Sequence, residues 1–435
     1  MNFAEAEAYL YSLGNEVETM KLGLENITIL LAALGDPQTK YKKVQVAGTN
    51  GKGSVCAFLD SICGEAGIRR GLYTSPHLVS ITERIKIDGV DISEDEFASI
   101  ATLVRETSER LVLEGKLERV PTFFEQVTAM ALVAFVDAGV ELAILETGLG
   151  GRYDAVTAAK AEIAAITRVD LDHQEYLGDT IEEIAAEKAA IIRGDSAVCI
   201  GVQKEVVRDV LAARCLEVGV EPVILDPTQI GYDQSSAEFA IGTIRTDEVF
   251  VSLPGLHQVE NAGLAILIAQ QLSQTFVIDD EHILRGLEAT THPGRLETVW
   301  RDGVSILLDG AHNVLGAEAL RDYLLGLYSE TQICIVFGAM TGKNADLMLR
   351  LLLEFGKDVI LTKPNNSRSE DPDLIRTSLG VEWLPDRMFV IHSVKDAIES
   401  AIEFTKNYSS MRRALVVVTG SLYLVGEVKK ILQTA

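Results

Sequence analysis

The chain has 435 residues, 47% of them hydrophobic, with 64 acidic against 39 basic side chains and a formal net charge of −25. At about 150 residues per domain that length holds two or three domains with sizeable cores, and the charge opposes a nucleic-acid backbone, so nucleic acid is not an expected partner. No apolar run reaches the roughly 18 residues of a membrane span, Met1–Ser12 carries acids and no basic leader, and five scattered cysteines without C-x-x-C spacing suit a reducing cytoplasm and offer no zinc framework.

The first informative stretch is Val44–Val55, V-Q-V-A-G-T-N-G-K-G-S-V. Val44–Ala47 reads as a strand, a glycine turn follows, and Val55, Phe58, Leu59 and Ile62 fall at helical spacing. Strand, glycine loop and helix start together cradle phosphate: glycine lets backbone N–H groups approach an anion, the helix adds its positive end and lysine a point charge. The common pattern G-x-x-x-x-G-K-[ST] is not met, because Val46 stands five residues before Gly51 and Gly53 separates Lys52 from Ser54. The competing reading is an ordinary glycine turn.

A strand is expected at Gly71–Thr74, followed by Ser75 in T-S-P-H-L, either a hydroxyl ligand for a metal or a serine before a proline turn. Thr122–Glu125 reads as a helix cap with Phe123 and Phe124 in the core, opening a helix over Glu125–Ala138. Glu146 ends the apolar run Leu142–Leu145. An acid at a strand end, downstream of a phosphate loop, suits Mg²⁺, which takes oxygen ligands and shares them with phosphate. Asp170, Asp172 and His173 follow the strand Ile163–Ile166, as metal ligands or as turn chemistry. Thr180 and Glu183 form a capping box for a helix to Ile192. Lys188 falls in its apolar stripe with Ile181, Ile184, Ala185, Ile191 and Ile192, where an ammonium is costly unless paired or altered.

With a further strand at Ala197–Ile200, the alternation implies a mostly parallel α/β sheet. Residues Asp233–Pro254 read as an antiparallel flank, followed by a helix over Glu260–Leu272. Pro293 and Gly294 punctuate the chain near His292–Thr298, giving expected domains 1–296 and 297–435. The second domain reads as a smaller doubly wound, Rossmann-like unit with strands at Val304–Leu308, Ile333–Phe337, Val359–Thr362, Phe389–His392 and Leu415–Val418. Its polar residues gather at strand ends: Asp309-Gly310-Ala311-His312-Asn313, Lys363–Pro372 and Thr419-Gly420-Ser421. Ligands of such sheets bind there, although each segment also suits turn and cap chemistry.

Taken in order, these motifs resemble the Mur ligase superfamily, and within it the folylpolyglutamate synthases, including the bifunctional dihydrofolate synthase form. The residues that carry the resemblance are Met20–Ile27, A-G-T-N-G-K-G-S at Ala47–Ser54, Thr74–Leu78, Phe123–Glu125, E-T-G-L-G-G-R-Y-D-A at Glu146–Ala155, Asp172–Gly178, E-K-A-A-I at Glu187–Ile191, Pro293–Arg295 and D-G-A-H-N at Asp309–Asn313. The resemblance implies that Thr49, Asn50, Gly51, Lys52, Gly53 and Ser54 hold ATP phosphates. It implies Mg²⁺ at two sites, served by Ser75, Glu146, His173 and a carbamylated Lys188. Asn261, Arg295 and Asp309 match ATP contacts. Asp309 and His312 are expected near glutamate and the reacting centre, and Thr122, Phe123 and Phe124 at a pterin position. Arg152, Asp154, Asn313 and Ser421 fall on the substrate side. Two departures stand out: Asp154-Ala155-Val156-Thr157 where D-A-T-N is common, and Ala190 where E-K-A-G-I has glycine.

The implied reaction joins L-glutamate to the γ-carboxyl of a folate, or to dihydropteroate, through an acyl phosphate, in a cytoplasmic monomer. A related ligase of cell-wall precursors and a non-ligating P-loop ATP switch are the alternatives.

Overall fold

In the computed structural model, residues 1–14, 23–232, 237–241, 244, 246–327, 331–380, 383, 387–408 and 414–434 are described. Met20–Leu22 of the first family motif lie outside them. The chain divides into two units: Met1–Ser252 with Gln258–Thr290, and Leu253–His257 with Thr291–Ala435.

The first unit is built on eight strands: β1 Lys42–Ala47, β2 Arg70–Tyr73, β3 Ile85–Ile87, β4 Val90–Asp91, β5 Leu142–Glu146, β6 Ile163–Ile166, β7 Ala197–Ile200 and β8 Val223–Ile224. Their order is β4-β3-β2-β5-β1-β6-β7-β8. From β2 to β8 every neighbouring pair is parallel, whereas β3 and β4 extend the β2 edge antiparallel. β5 and β6 are buried along their whole length, as strands covered by helices on both faces must be. The core gathers Phe97, Phe135 and Tyr73 with Val127, Met130 and Leu132 of the helix Phe123–Asp137. An antiparallel sheet of β9 Ile230–Tyr232, β10 Ala237–Phe239 and β11 Thr246–Val249 is present; β10 and β11 fall within the expected flank Asp233–Pro254, β9 just before it, and residues 233–236, 242–243 and 245 of that range lie outside the described residues. The next helix, Leu256–Leu272, begins four residues before the expected start, directly after Gly255 at φ +100°.

The second unit carries β12 Glu297–Arg301, β13 Val304–Leu308, β14 Gln332–Phe337, β15 Gly356–Leu361, β16 Met388–Val390 and β17 Ala414–Thr419, in the order β12-β13-β17-β14-β15-β16. All pairs are parallel except β12–β13. β12 escapes a sequence reading because it is an edge strand of alternating exposure, with Trp300 73% exposed. The division between units falls earlier than residue 296. Leu296 packs among Leu307, Phe337 and Val417, and the amide of Gly310 donates to the Gly294 carbonyl at 2.8 Å, so Thr291–Leu296 group with the second sheet.

Among the described residues no helix is long and apolar enough to cross a membrane, and all five cysteines are free and buried.

Candidate active site

The loop after β1 is stitched to the loop after its neighbour β6. The amides of Thr49 and Asn50 donate to the Arg168 carbonyl at 2.9 and 3.3 Å, Thr49 Oγ1 donates to the Asp170 carbonyl at 2.9 Å, and Thr167 Oγ1 donates to the Asn50 carbonyl at 2.8 Å. Gly48 and Gly51 sit at φ +154° and +92°. A Cβ on Gly48 would lie 1.8 Å from Thr167 Oγ1, and one on Gly51 2.3 Å from Asn261 Oδ1, so both positions demand glycine. Gly51 opens the helix Lys52–Glu65, whose first turn carries no acid. The first N–H groups of a helix lack partners within it, which leaves the turn from Lys52 onward as the natural anion seat.

Two lysines meet the start of this loop. Lys52 Nζ donates to the carbonyls of Gly48 (3.1 Å) and Thr49 (3.0 Å). Lys188 Nζ donates to the same Gly48 carbonyl at 2.8 Å. Lys188 is 4% exposed, so its place in the apolar stripe of the helix Ile181–Ala189 directs it into the molecule and not along the surface.

Parallel pairing aligns the remaining polar residues at one sheet edge. Ser75 lies two residues beyond β2, Glu146 ends β5, Gly48 follows β1 and His173 lies on the loop after β6; these four strands are neighbours. Glu146 is 6% exposed and its Oε2 accepts from the Ser75 amide at 3.0 Å. These two are brought together. His173, at φ +52°, donates its amide to Asp172 Oδ1 at 2.8 Å, with its ring Nε2 3.9 Å from the same oxygen.

The glycine-rich turn after Glu146 is organised by Asp154. Its carboxylate accepts from the amides of Leu149 and Val156, both at 2.9 Å. Burial pushes its pKa up to about 6, against the pull of those bonds and of the Lys52 charge. Thr157, where the family commonly has asparagine, donates to the Gly151 carbonyl at 2.7 Å and accepts from Gln45 Nε2 at 2.8 Å, so the departure is absorbed locally. Arg152 pairs with Glu187 at 2.7 Å at a half-exposed position. Ala190 closes the Lys188 helix as its C-terminal cap.

Thr122 caps the helix Phe123–Asp137 in a reciprocal capping box with Glu125. Phe123 is 2% exposed; Tyr11 stacks on it at 5.8 Å between centroids and the Arg84 guanidinium lies 5.3 Å from its ring. Phe124 is half-buried beside Gly148, where an added Cβ would come within 2.5 Å of its Cζ. Arg84 Nε donates to His77 Nδ1 at 2.9 Å, and His77 Nε2 lies 3.3 Å from the Tyr11 hydroxyl. Burial, with the Arg84 charge, lowers the His77 pKa to about 3. Sequence reasoning missed Tyr11, His77 and Arg84 as a group; the available signal was a histidine two residues after Ser75 and an arginine between the isoleucines of I-T-E-R-I.

In the second unit, Asp309 directly follows β13 and accepts from the amides of Leu296 (3.1 Å) and Ala311 (3.0 Å). Burial raises its pKa, while the Arg295 charge and these bonds oppose the rise. Arg295 donates to the Gly310 carbonyl at 3.3 Å, which also lies 2.9 Å from His312 Nδ1. Asn313 Oδ1 accepts from the Gly316 amide at 2.9 Å, and Ser421 Oγ from the Leu424 amide at 3.1 Å, so both cap the helices that follow them. The Gly420 amide donates to the Ala311 carbonyl at 3.1 Å, tying together the loops after β13 and β17.

Comparison with known proteins decides the family. Residues 46–269 match the Mur ligase middle domain, and residues 294–432 the dihydrofolate synthetase C-terminal domain. The dihydrofolate synthase/folylpolyglutamate synthase of Bacillus subtilis is 31% identical over 420 residues, covering 94% of this chain and 95% of that protein. The chain belongs to the folylpolyglutamate synthase/dihydrofolate synthase family of the Mur ligases. It is therefore an enzyme, an ATP-dependent ligase. A Haloferax volcanii protein, named a probable bifunctional folylpolyglutamate synthase/dihydropteroate synthase, is 35% identical over 99% of this chain, which spans only half (50%) of that protein's length. Among solved structures, Mycobacterium tuberculosis folylpolyglutamate synthase complexed with ADP and AMPPCP superimposes with a TM-score of 0.89 at 29% identity, covering 99% and 98% of the two chains. E. coli FolC in complex with DHPP and ADP gives 0.86 at 27% identity, covering 100% and 98%.

Proposed function

We propose that this chain uses ATP to activate a carboxylate of a pteridine acceptor and joins L-glutamate to it. The acceptor is a reduced folate, extended at its γ-carboxyl, or dihydropteroate. The observation that carries this reading is the shared strand edge of the first unit. It places a glycine loop with two lysines beside a buried carboxylate, at the ends of adjacent parallel strands.

The chemistry follows from that arrangement. A substrate carboxylate oxygen attacks the γ-phosphorus and ADP leaves. The free amine of glutamate attacks the resulting acyl phosphate, and phosphate and a proton depart as the amide forms. In this assignment the loop Thr49–Ser54 binds the phosphates through backbone N–H groups and the helix start, and Lys52 neutralises charge that develops during transfer. Ser75 and Glu146 present oxygen donors at a buried strand end, a donor set that fits Mg²⁺. His173 and a carbamate on Lys188 are assigned to the second ion. Bound Mg²⁺ supplies charge neutralisation on the phosphates. We assign Phe124 and Thr122 to the pterin side, and the loop Asp309–Asn313 to the glutamate-adding half of the reaction. The reading needs no partner chain, membrane or nucleic acid.

Incubation of the purified protein with ATP, Mg²⁺, L-glutamate and either tetrahydrofolate or dihydropteroate tests it. The expected result is one ADP per acceptor lengthened by one glutamate. Turnover only with a UDP-linked peptide precursor would move the chain to the cell-wall branch, and ADP release without any amide product would leave an ATP switch.

A further inference from the structure

We infer that Tyr11, on the N-terminal helix Phe3–Ser12, forms an aromatic wall of the acceptor site and is held in position by His77; the inference rests on the ligase reading above. Three observations lead to it. The first is place. His77 lies two residues beyond Ser75, whose amide holds Glu146 at the strand edge, so the Tyr11 hydroxyl is tethered to the segment that borders the proposed phosphate-transfer chemistry.

The second is which ring can be reached. Phe123 is buried and already engaged by the Tyr11 ring, stacked at 5.8 Å with 5° between planes, and by the Arg84 guanidinium at 5.3 Å. It acts as the floor beneath Tyr11. Tyr11 itself is 49% exposed, so the aromatic surface offered at this point is its own.

The third is fixation. A tyrosine half exposed on a helix normally turns among rotamers, yet this one is held at both ends. The ring rests on Phe123. Arg84 Nε donates to His77 Nδ1 at 2.9 Å, which places the imidazole proton on Nε2, and Nε2 then donates to the Tyr11 oxygen at 3.3 Å. The outcome is a preorganised π-face beside the proposed phosphate-transfer edge. Its matching ligand is a planar aromatic system attached to a carboxylate, as the pterin and aminobenzoyl rings of folates and of dihydropteroate are. Stacking on a fixed aromatic plane binds such a ring without a large ordering cost.

The test is equilibrium binding of dihydropteroate and of ATP, measured separately, with steady-state kinetics on wild type, Y11F, Y11A and H77A. Y11A is expected to weaken dihydropteroate binding roughly tenfold, the loss of one good aromatic contact, with ATP affinity unchanged and kcat at saturating acceptor within about twofold. Y11F keeps the ring and should stay within about threefold of wild type, and H77A should fall between Y11F and Y11A. Unchanged dihydropteroate binding in Y11A overturns the inference. So does a parallel loss of ATP affinity or a melting temperature more than about 4 °C lower in both Y11A and Y11F, which would mark Tyr11 as structural. The binding arm reports on Tyr11 even if wild type forms no amide, an outcome that would count against the ligase reading and not against the wall.

Discussion

Lys52 and Lys188 donate to one and the same carbonyl oxygen, that of Gly48, at 3.1 and 2.8 Å. Two ammonium groups on one acceptor stand no more than about 6 Å apart and repel each other. A carbamate on Lys188 would replace that repulsion by attraction to Lys52 and supply oxygen donors for a second ion. Lys188→Ala is therefore expected to lower ligation by at least about 100-fold, the scale of losing a preorganised charged group, with partial recovery in acetate or formate. Product formation measured with and without these anions checks it. Full activity of the variant would remove Lys188 from the site.

Gly48 should not tolerate a side chain. At φ +154°, its Cβ would overlap Thr167 Oγ1 at 1.8 Å and approach Thr167 Cβ at 2.9 Å. Gly48→Ala is expected to cost at least about 2 kcal/mol, from strain and overpacking together. Thr167→Ala in the same background should return part of it. Urea unfolding of the single and double variants decides the point.

Asp154 sets a pH window for stability. Its folded pKa is raised to about 6 by burial. Below about pH 4 the carboxyl is protonated in both the folded and unfolded chain. Between about pH 4 and 6 the folded chain keeps the proton that the unfolded chain releases, so stability falls as pH rises, by about 3 kcal/mol in all. Asp154→Asn removes this dependence. The gap in unfolding free energy between the variant and wild type should move in the variant's favour across that window. A gap independent of pH would contradict the burial argument.

Strand interiors were legible wherever an apolar run was continuous. Ile163–Ile166, Ala197–Ile200 and Val304–Leu308 have the bounds that the sequence suggests. β12 was not, because its Trp300 side faces outward and its pattern is that of an edge. The strand, glycine turn and helix start at Lys42–Glu65 were legible because two glycines at positive φ and an apolar stripe at helical spacing leave a local trace. The burial of Lys188 was legible from its stripe, but its acceptor lies 140 residues away and no local pattern announces it. The Tyr11–His77 contact spans 66 residues and was hidden for the same reason. Thr122 was read as a helix cap, and Asn313 and Ser421 as strand-end residues suited either to substrate or to cap chemistry; the structure shows each of the three capping a helix.

Those caps can be tested directly. Asn313→Ala leaves the Gly316 amide without its side-chain acceptor, and Ser421→Ala does the same to the Leu424 amide. Each is expected to lower stability by about 1 kcal/mol, the usual value of an N-terminal cap. Urea midpoints measured with unchanged m-values check this; no shift in either variant would mean that the caps contribute nothing.

We propose above that ATP activates a substrate carboxylate as an acyl phosphate. It is tested most directly with a folate or dihydropteroate acceptor carrying ¹⁸O in the reacting carboxyl group, incubated with the enzyme, ATP, Mg²⁺ and L-glutamate. One ¹⁸O is expected in the inorganic phosphate for each amide formed. Amide formation with unlabelled phosphate, or phosphate release without amide, would contradict it.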